Sequence, residues 1–188
     1  LTQKAIFGYG NTGSNVSMTN LVSSSGVVAA DVTGVGTARY FLEAAGYGTD
    51  KAIFAYGFTG SNVSMSNLVS NSGVVATDTT GVGTARRAAA SYGTDKAIFG
   101  YGYAAAVVSL TNLCSNSGVI AADVTGVGTA RYVLAASSYG GDKAIFGYGL
   151  NGSDSNVSMT NLVNNSGVVA TDTTGVGTAR NNLAATNY

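Results

Sequence analysis

The heptapeptide TGVGTAR occurs four times in this chain, at Thr33–Arg39, Thr80–Arg86, Thr125–Arg131 and Thr174–Arg180. A second phrase, KAIF, begins at Lys4, Lys51, Lys96 and Lys143, in steps of 47, 45 and 47 residues. From that lysine to the arginine is 35 residues in the first three copies and 37 in the fourth, whose two additional residues fall within Asn151–Ser155. Self-similarity at a fixed period of this size is the signature of a repeat architecture, in which one supersecondary unit recurs and is stabilised by its neighbours. Length varies only in turn-rich stretches, where loops tolerate it.

Each unit reads as short strands. In the second copy these are KAIFAYG (Lys51–Gly57), NVSMSNLV (Asn62–Val69), GVVATD (Gly73–Asp78) and the stretch Arg87–Tyr92. In the second of them Val63 and Met65 alternate with Ser64 and Ser66. Clusters such as SNSG (Ser70–Gly73) separate the runs. Short β-rich runs bounded by turn residues at this spacing predict an all-β sandwich, barrel or propeller. A helix is excluded because no segment holds a 3.6-residue apolar period for three turns and glycine recurs throughout. Hydrophobic residues make up 45% of the 188, and the regular placement of Val, Ile, Phe and Tyr argues against disorder.

Four strands in 45–49 residues is the arithmetic of a propeller blade. The unit GVGTARYFLEAAGYGTDKAIFAYGFTGSNVSMSNLVSNSGVV resembles the kelch repeat. GTAR corresponds to that family's small-residue turn into the inner strand, KAIFGYG to its second strand with Gly-Tyr-Gly in place of paired glycines, and NVSMTNLV to its third. The tryptophan that opens the family's fourth strand is absent, and GVV stands there instead. The resemblance implies an all-β, four-bladed β-propeller with four antiparallel strands per blade. The units are approximately 1–39, 40–86, 87–131 and 132–180. Residues 181–188 form a closing strand that pairs with the N-terminal blade, or else two chains share one larger ring. Closure removes two sheet edges that would otherwise recruit other strands. The chain opens in mid-pattern at Leu1, as a mature form or a piece of something longer does.

Charged residues are only 10% of the chain and the formal net charge is zero, which argues against a nucleic-acid footprint or a polybasic membrane patch. No apolar run reaches the roughly 18 residues of a membrane helix. Fifteen of the 18 charged side chains sit at repeat-equivalent positions. They include Arg39, Arg86, Arg131 and Arg180, and the aspartates eight residues before them, Asp31, Asp78, Asp123 and Asp172. A catalytic site needs a localised, asymmetric set of groups. Charges repeated four times read instead as blade-junction structure, with the Asp and Arg of each unit paired or each Arg bonding backbone carbonyls. Arginine's planar fork suits that role.

The chain has no histidine, which removes the usual Ser-His-Asp, Cys-His and zinc constellations. TGVGTAR lacks the Lys-Ser/Thr of a phosphate-binding loop, and GYG and GVG precede no helix, so no nucleotide fingerprint is present. No metal or cofactor is expected. Cys114, the only cysteine, has Val22, Val69 and Val163 as counterparts and reads as a small buried hydrophobe. Asn15, Asn62, Asn156 and Asn164 open Asn-X-Ser/Thr sequons, which read as polar loop boundaries unless a eukaryotic secretory pathway made the chain.

Function then belongs where the copies differ. The loop after the second strand reads NTGS, FTGS, YAAA and LNGSDS, and the stretch after the arginine reads YFLE, RAAA, YVLA and NNLA. Tyr40, Phe58, Tyr103 and Asn151 are the candidate binding-loop residues. Aromatic side chains supply flat apolar area at low entropic cost. The expectation is a non-enzymatic module binding a glycan or protein partner on a virion, appendage or cell surface. The alternative is a structural protein that assembles with copies of itself, favoured by the low charge.

Overall fold

A computed structural model describes residues 4–84, 86 and 89–188 of the chain. They are all-β, with no helix among the described residues. The first unit contains β1 (Ala5–Asn11) and β2 (Asn15–Val22), paired antiparallel. The second is a three-stranded antiparallel sheet of β3 (Glu43–Tyr47), β4 (Lys51–Ala55) and β5 (Ser66–Val69). The third repeats it with β6 (Ala89–Tyr92), β7 (Lys96–Gly100) and β8 (Thr111–Cys114). The fourth has β10 (Ala135–Tyr139), β11 (Lys143–Gly147) and β13 (Thr160–Val163), with a separate two-residue pairing of β9 (Arg131–Tyr132) and β12 (Leu150–Asn151). Of the strand expected over Arg87–Tyr92, Arg87 and Ala88 lie outside the described residues.

The expected fourth strand of each unit is reduced to two isolated bridges, such as Val69↔Val75 and Ser66↔Thr79 in the second. The bridges are offset by one residue, so the outer segment carries an extra residue, a bulge that breaks the ladder. The side chain of Asn67 fills the gap, its Nδ2 donating to the Ala76 carbonyl at 3.0 Å and to Asp78 Oδ1 at 2.9 Å. Asn20, Asn112 and Asn161 make the same pair of bonds in the other units.

The apolar core lies between sheets. One cluster joins Tyr9 of the first unit to Phe54 and Val69 of the second. Another joins Ile53 and Tyr56 of the second to Phe99 and Cys114 of the third. A third joins Ile98 and Tyr101 of the third to Phe146 and Val163 of the fourth. This explains the unbroken apolar run AIF: a strand covered on both faces has no polar side to present. Where one face is uncovered the same letters behave differently. Phe99 is 0% exposed, whereas Phe7 in β1 is 61% exposed.

Among the described residues no strand pairing joins the two ends of the array. Among them β1 is paired by β2 alone, and residues 181–188, expected to close a ring on the N-terminal blade, lie in no strand. Each inner strand of the other units reaches its partner through a short turn, as Tyr47 reaches Lys51. A pairing between the two chain ends has no such turn and must meet the closure entropy of the whole chain.

Candidate functional site: the inter-unit junctions and the variable rim

The TGVGTAR segments follow the sheets, and the first three make the junctions between them. The first glycine of the segment is required by close approach. A Cβ on Gly81 would lie 2.1 Å from Ser64 Oγ and 2.6 Å from its carbonyl carbon. The second supplies a left-handed turn, at φ 77° for Gly36, and its Cβ position is occupied by Asp78 and Asn67 of the next unit.

At the first junction Thr37 donates its N–H to both oxygens of Asp78, at 3.2 and 3.0 Å, and its hydroxyl to Oδ2 at 2.6 Å. Arg39 is fully buried. Its Nε donates to the Tyr56 carbonyl at 2.8 Å, its Nη2 to Asn67 Oδ1 at 2.7 Å and its Nη1 to the Thr37 carbonyl at 3.1 Å. The guanidinium lies 4.4 Å over the ring of Tyr9 and 3.8 Å from Asp78. Burial pushes this arginine below its usual pKa, against the influence of Tyr9 and Asp78. Burial pushes the Asp78 carboxyl up, but hydrogen bonds from Thr37 and Asn67 and the charge of Arg39 outweigh it, leaving the carboxyl below its usual value.

The threonine–aspartate bonds recur with Thr84 and Asp123 and with Thr129 and Asp172, each beside a buried arginine, but the arginine's own bonds vary: Arg131 Nη2 donates to Asn161 Oδ1, whereas Arg86 Nη2 donates to Asp123 Oδ1. The pairing therefore differs from an Asp–Arg pair within one unit. Arg39, Arg86 and Arg131 each pair with the aspartate of the following unit, because the arginine sits after its own sheet and faces the next. Asp31 and Arg180 are left over at opposite ends. Asp31 accepts from Asn20 Nδ2 at 2.8 Å, and Arg180 lies exposed, 4.2 Å over Tyr148.

Tyr9, Tyr56, Tyr101 and Tyr148, the centre of each Gly/Ala-Tyr-Gly, are held at φ of 64°, 64°, 58° and 64°. A bulky side chain in the left-handed region is strained. In β1 the tyrosine sits where the register shifts between Gly8 and Gly10: it stands alone opposite Ser17 and Met18, so β2 carries the extra residue of a bulge at this point. The bulge turns the ring into the junction, where Tyr9, Tyr56 and Tyr101 meet Phe54, Phe99 and Phe146 with centroids 5.1–5.3 Å apart. Sequence reasoning assigned the positive φ to glycine and missed these tyrosines, together with the junction threonines and asparagines. Their signal was identity in all four copies.

The variable loops around Phe58 and Tyr103 meet the stretches after Arg39 and Arg131 and form the aromatic rim. Tyr40 and Phe58 form a backbone bridge, with N···O distances of 3.2 and 2.8 Å, and their rings stand edge to face at 5.6 Å. Phe41 adds a third ring 4.4 Å from Tyr40 and is 51% exposed. Tyr103, 43% exposed, has its ring 5.8 Å from Tyr132, and Tyr132 donates to Asp154 at 2.8 Å. Asn62 Nδ2 links the loops of successive units by donating to the Ala104 carbonyl at 3.0 Å. Asn151 is different in kind: its Oδ1 accepts from the N–H groups of Ser153 and Ser155, so it organises its own loop. Phe41 and Tyr132 were not singled out in the sequence, although both stand in the variable stretch after the arginine.

Among the described residues no group of three or more His, Cys, Asp or Glu side chains gathers to hold a metal ion. Among the same residues no helix is long and apolar enough to cross a membrane. Cys114 is buried, and burial pushes its thiol up to about 11. No protein-family profile matches the chain, and no curated protein sequence is significantly similar to it.

Proposed function

We propose that the chain is a non-enzymatic interaction module built of kelch-like propeller blades, presenting an aromatic rim to a glycan or protein partner. The observation that carries this reading is the gathering of Tyr40, Phe41 and Phe58, and of Tyr103 and Tyr132, into partly exposed clusters at positions where otherwise near-identical copies diverge. Partly exposed aromatic groups beside polar loop atoms are the usual anchors of sugar and protein recognition. The aspartates and arginines of the three internal junctions, by contrast, are engaged with one another. In this reading the sheets are blades of a ring whose closure, absent from the strand pairings of the described residues, is supplied by residues 181–188 of the same chain or by a second chain. Display on a virion, appendage or cell surface follows from analogy with the fold alone.

The test is a glycan array together with pull-down from candidate surface extracts, using wild type and the Phe58→Ala and Tyr103→Ala variants. Retention of a defined glycan or protein that both variants lose, with melting temperatures unchanged, is the expected result. Binding unaffected by either substitution would remove the rim from consideration.

A second reading, a structural protein that packs with its own copies, is favoured by the 10% charged content and zero net charge, which leave little repulsion between molecules.

A further inference from the structure

We infer that the two ends of the array are the separated halves of one more junction, and that a second copy of this chain joins them head to tail. This stands independently of the aromatic rim.

The donor half is at the C-terminal end. Arg180 holds the posture of its buried counterparts: Nη1 donates to the Thr178 carbonyl at 3.1 Å, as Arg39 does to Thr37 and Arg131 to Thr129. Its guanidinium is 4.2 Å over Tyr148, against 4.4 Å for Arg39 over Tyr9 and 4.5 Å for Arg131 over Tyr101. Among the described residues it has no aspartate or asparagine partner, and Thr178 has no carboxylate.

The acceptor half is at the other end. Asn20 donates to the Ala29 carbonyl and to Asp31, just as Asn67 does to Ala76 and Asp78. What Asn67 and Asp78 receive from Arg39 and Thr37, Asn20 and Asp31 do not receive from any described residue. Asp31 lines an open groove of about 380 Å³ with Ser17, Met18 and Gly34.

The apolar contacts are split in the same way. Phe54, Phe99 and Phe146 each meet a tyrosine of the preceding unit, while Phe7 is 61% exposed and Tyr148, the corresponding tyrosine, has no phenylalanine against it among the described residues. Leu21, Leu68 and Leu113 press on Gly73, Gly118 and Gly167 of the following unit. Leu162 is 40% exposed, and a Cβ on Gly26 would meet nothing within 4 Å. Each of these contacts is made three times inside the chain, and its fourth pair consists of residues at opposite ends. The occupant of each end is thus specified by charge, hydrogen bonding and shape as a unit of the same kind, which a second copy of the chain supplies. A heterologous contact of this kind generates a ring or a filament.

Sedimentation velocity of the full chain tests this. Wild type should form species above the 18.7 kDa monomer in a concentration-dependent manner. Arg180→Glu and Asp31→Arg should each weaken association by roughly tenfold or more, with far-UV circular dichroism unchanged. The charge-exchanged chain carrying both Arg180→Asp and Asp31→Arg should recover association. In a Cys114→Val background, Thr178→Cys with Asp31→Cys should give covalent dimers or ladders with a short bismaleimide, and Thr129→Cys with Asp172→Cys should cross-link within one chain as the internal control. A wild type that stays monomeric throughout the micromolar range would overturn the inference. So would a Thr178→Cys/Asp31→Cys product of monomer mass, which would mean a ring closed within one chain, and so would association insensitive to Arg180 and Asp31.

Discussion

The guanidinium of Arg131 lies 4.5 Å over the ring of Tyr101 and 3.5 Å from the carboxylate of Asp172, and so binds the third unit to the fourth. Arg180 repeats the contact with its tyrosine but is exposed. Removing a partner from a buried pair strands the remaining polar groups. Arg131→Ala is therefore expected to lower stability by about 3 kcal/mol, and Arg180→Ala at high dilution by no more than about 0.5 kcal/mol. Urea denaturation of the two variants measures the contrast, and equal midpoints would contradict it.

Asp78, Asp123 and Asp172 have carboxyls held below their usual pKa by threonine, asparagine and arginine. The sign follows by linkage: a carboxyl depressed in the folded state contributes stability that is present above the unfolded value, about 4, and is lost as pH falls through the folded one. Thermal melting between pH 7 and pH 2 should show a loss of stability that steepens below pH 4. In Asp123→Asn the fall should be shallower, starting from a lower melting temperature at pH 7. A melting temperature independent of pH in that window would dismiss the ion-paired junction as a source of stability.

Phe99 and Phe7 occupy the same place in the third and first repeats, the former fully buried and the latter 61% exposed. Phe99→Ala should cost about 3–5 kcal/mol, the range for a large aromatic removed from a packed interior. Phe7→Ala should cost well under half as much when measured on the dissociated chain. Differential scanning calorimetry at low concentration compares them directly.

Cys114 stands where the other copies carry valine, and its thiol is raised to about 11 by burial. Cys114→Val should shift stability by less than about 1.5 kcal/mol, as volume-conserving exchanges do. The native thiol should resist a thiol-specific chromogenic reagent at pH 8 and react fully once the chain is unfolded. Rapid reaction in the folded protein would refute the burial.

Much of the local structure was legible in the sequence because period-2 alternation and turn residues act over a few positions. AIF falls in a strand in every unit, whereas NVSMTNLV is a strand along its whole length only in the first and its counterparts in the other three are strands over their last four residues alone. GVVATD was overread as a full strand, since the bulge that reduces it depends on the Asn67 side chain replacing backbone bonds. Pairing between units was not legible: four identical Arg and Asp positions carry no information about which copy meets which. Only spatial order decides that Arg39 meets Asp78. The left-handed tyrosines were hidden because each is followed by a glycine, itself at φ between 99° and 115°, to which the turn was attributed. Of the candidate rim residues, Tyr40, Phe58 and Tyr103 were found as loop aromatics, but their companions Phe41 and Tyr132 emerge only once the loops are folded against one another.

Placing every apolar cluster between sheets has a consequence for how the molecule comes apart. No sheet owns a core, so an isolated unit has nothing to hold it folded, and stability is a series of nearest-neighbour couplings. The second and third units are each coupled on two sides, the first and fourth on one. Opening therefore starts at the termini and runs inward. Backbone amides should exchange with solvent in a gradient from β1 and β13 toward β4 and β7, with β7 the last to lose protection.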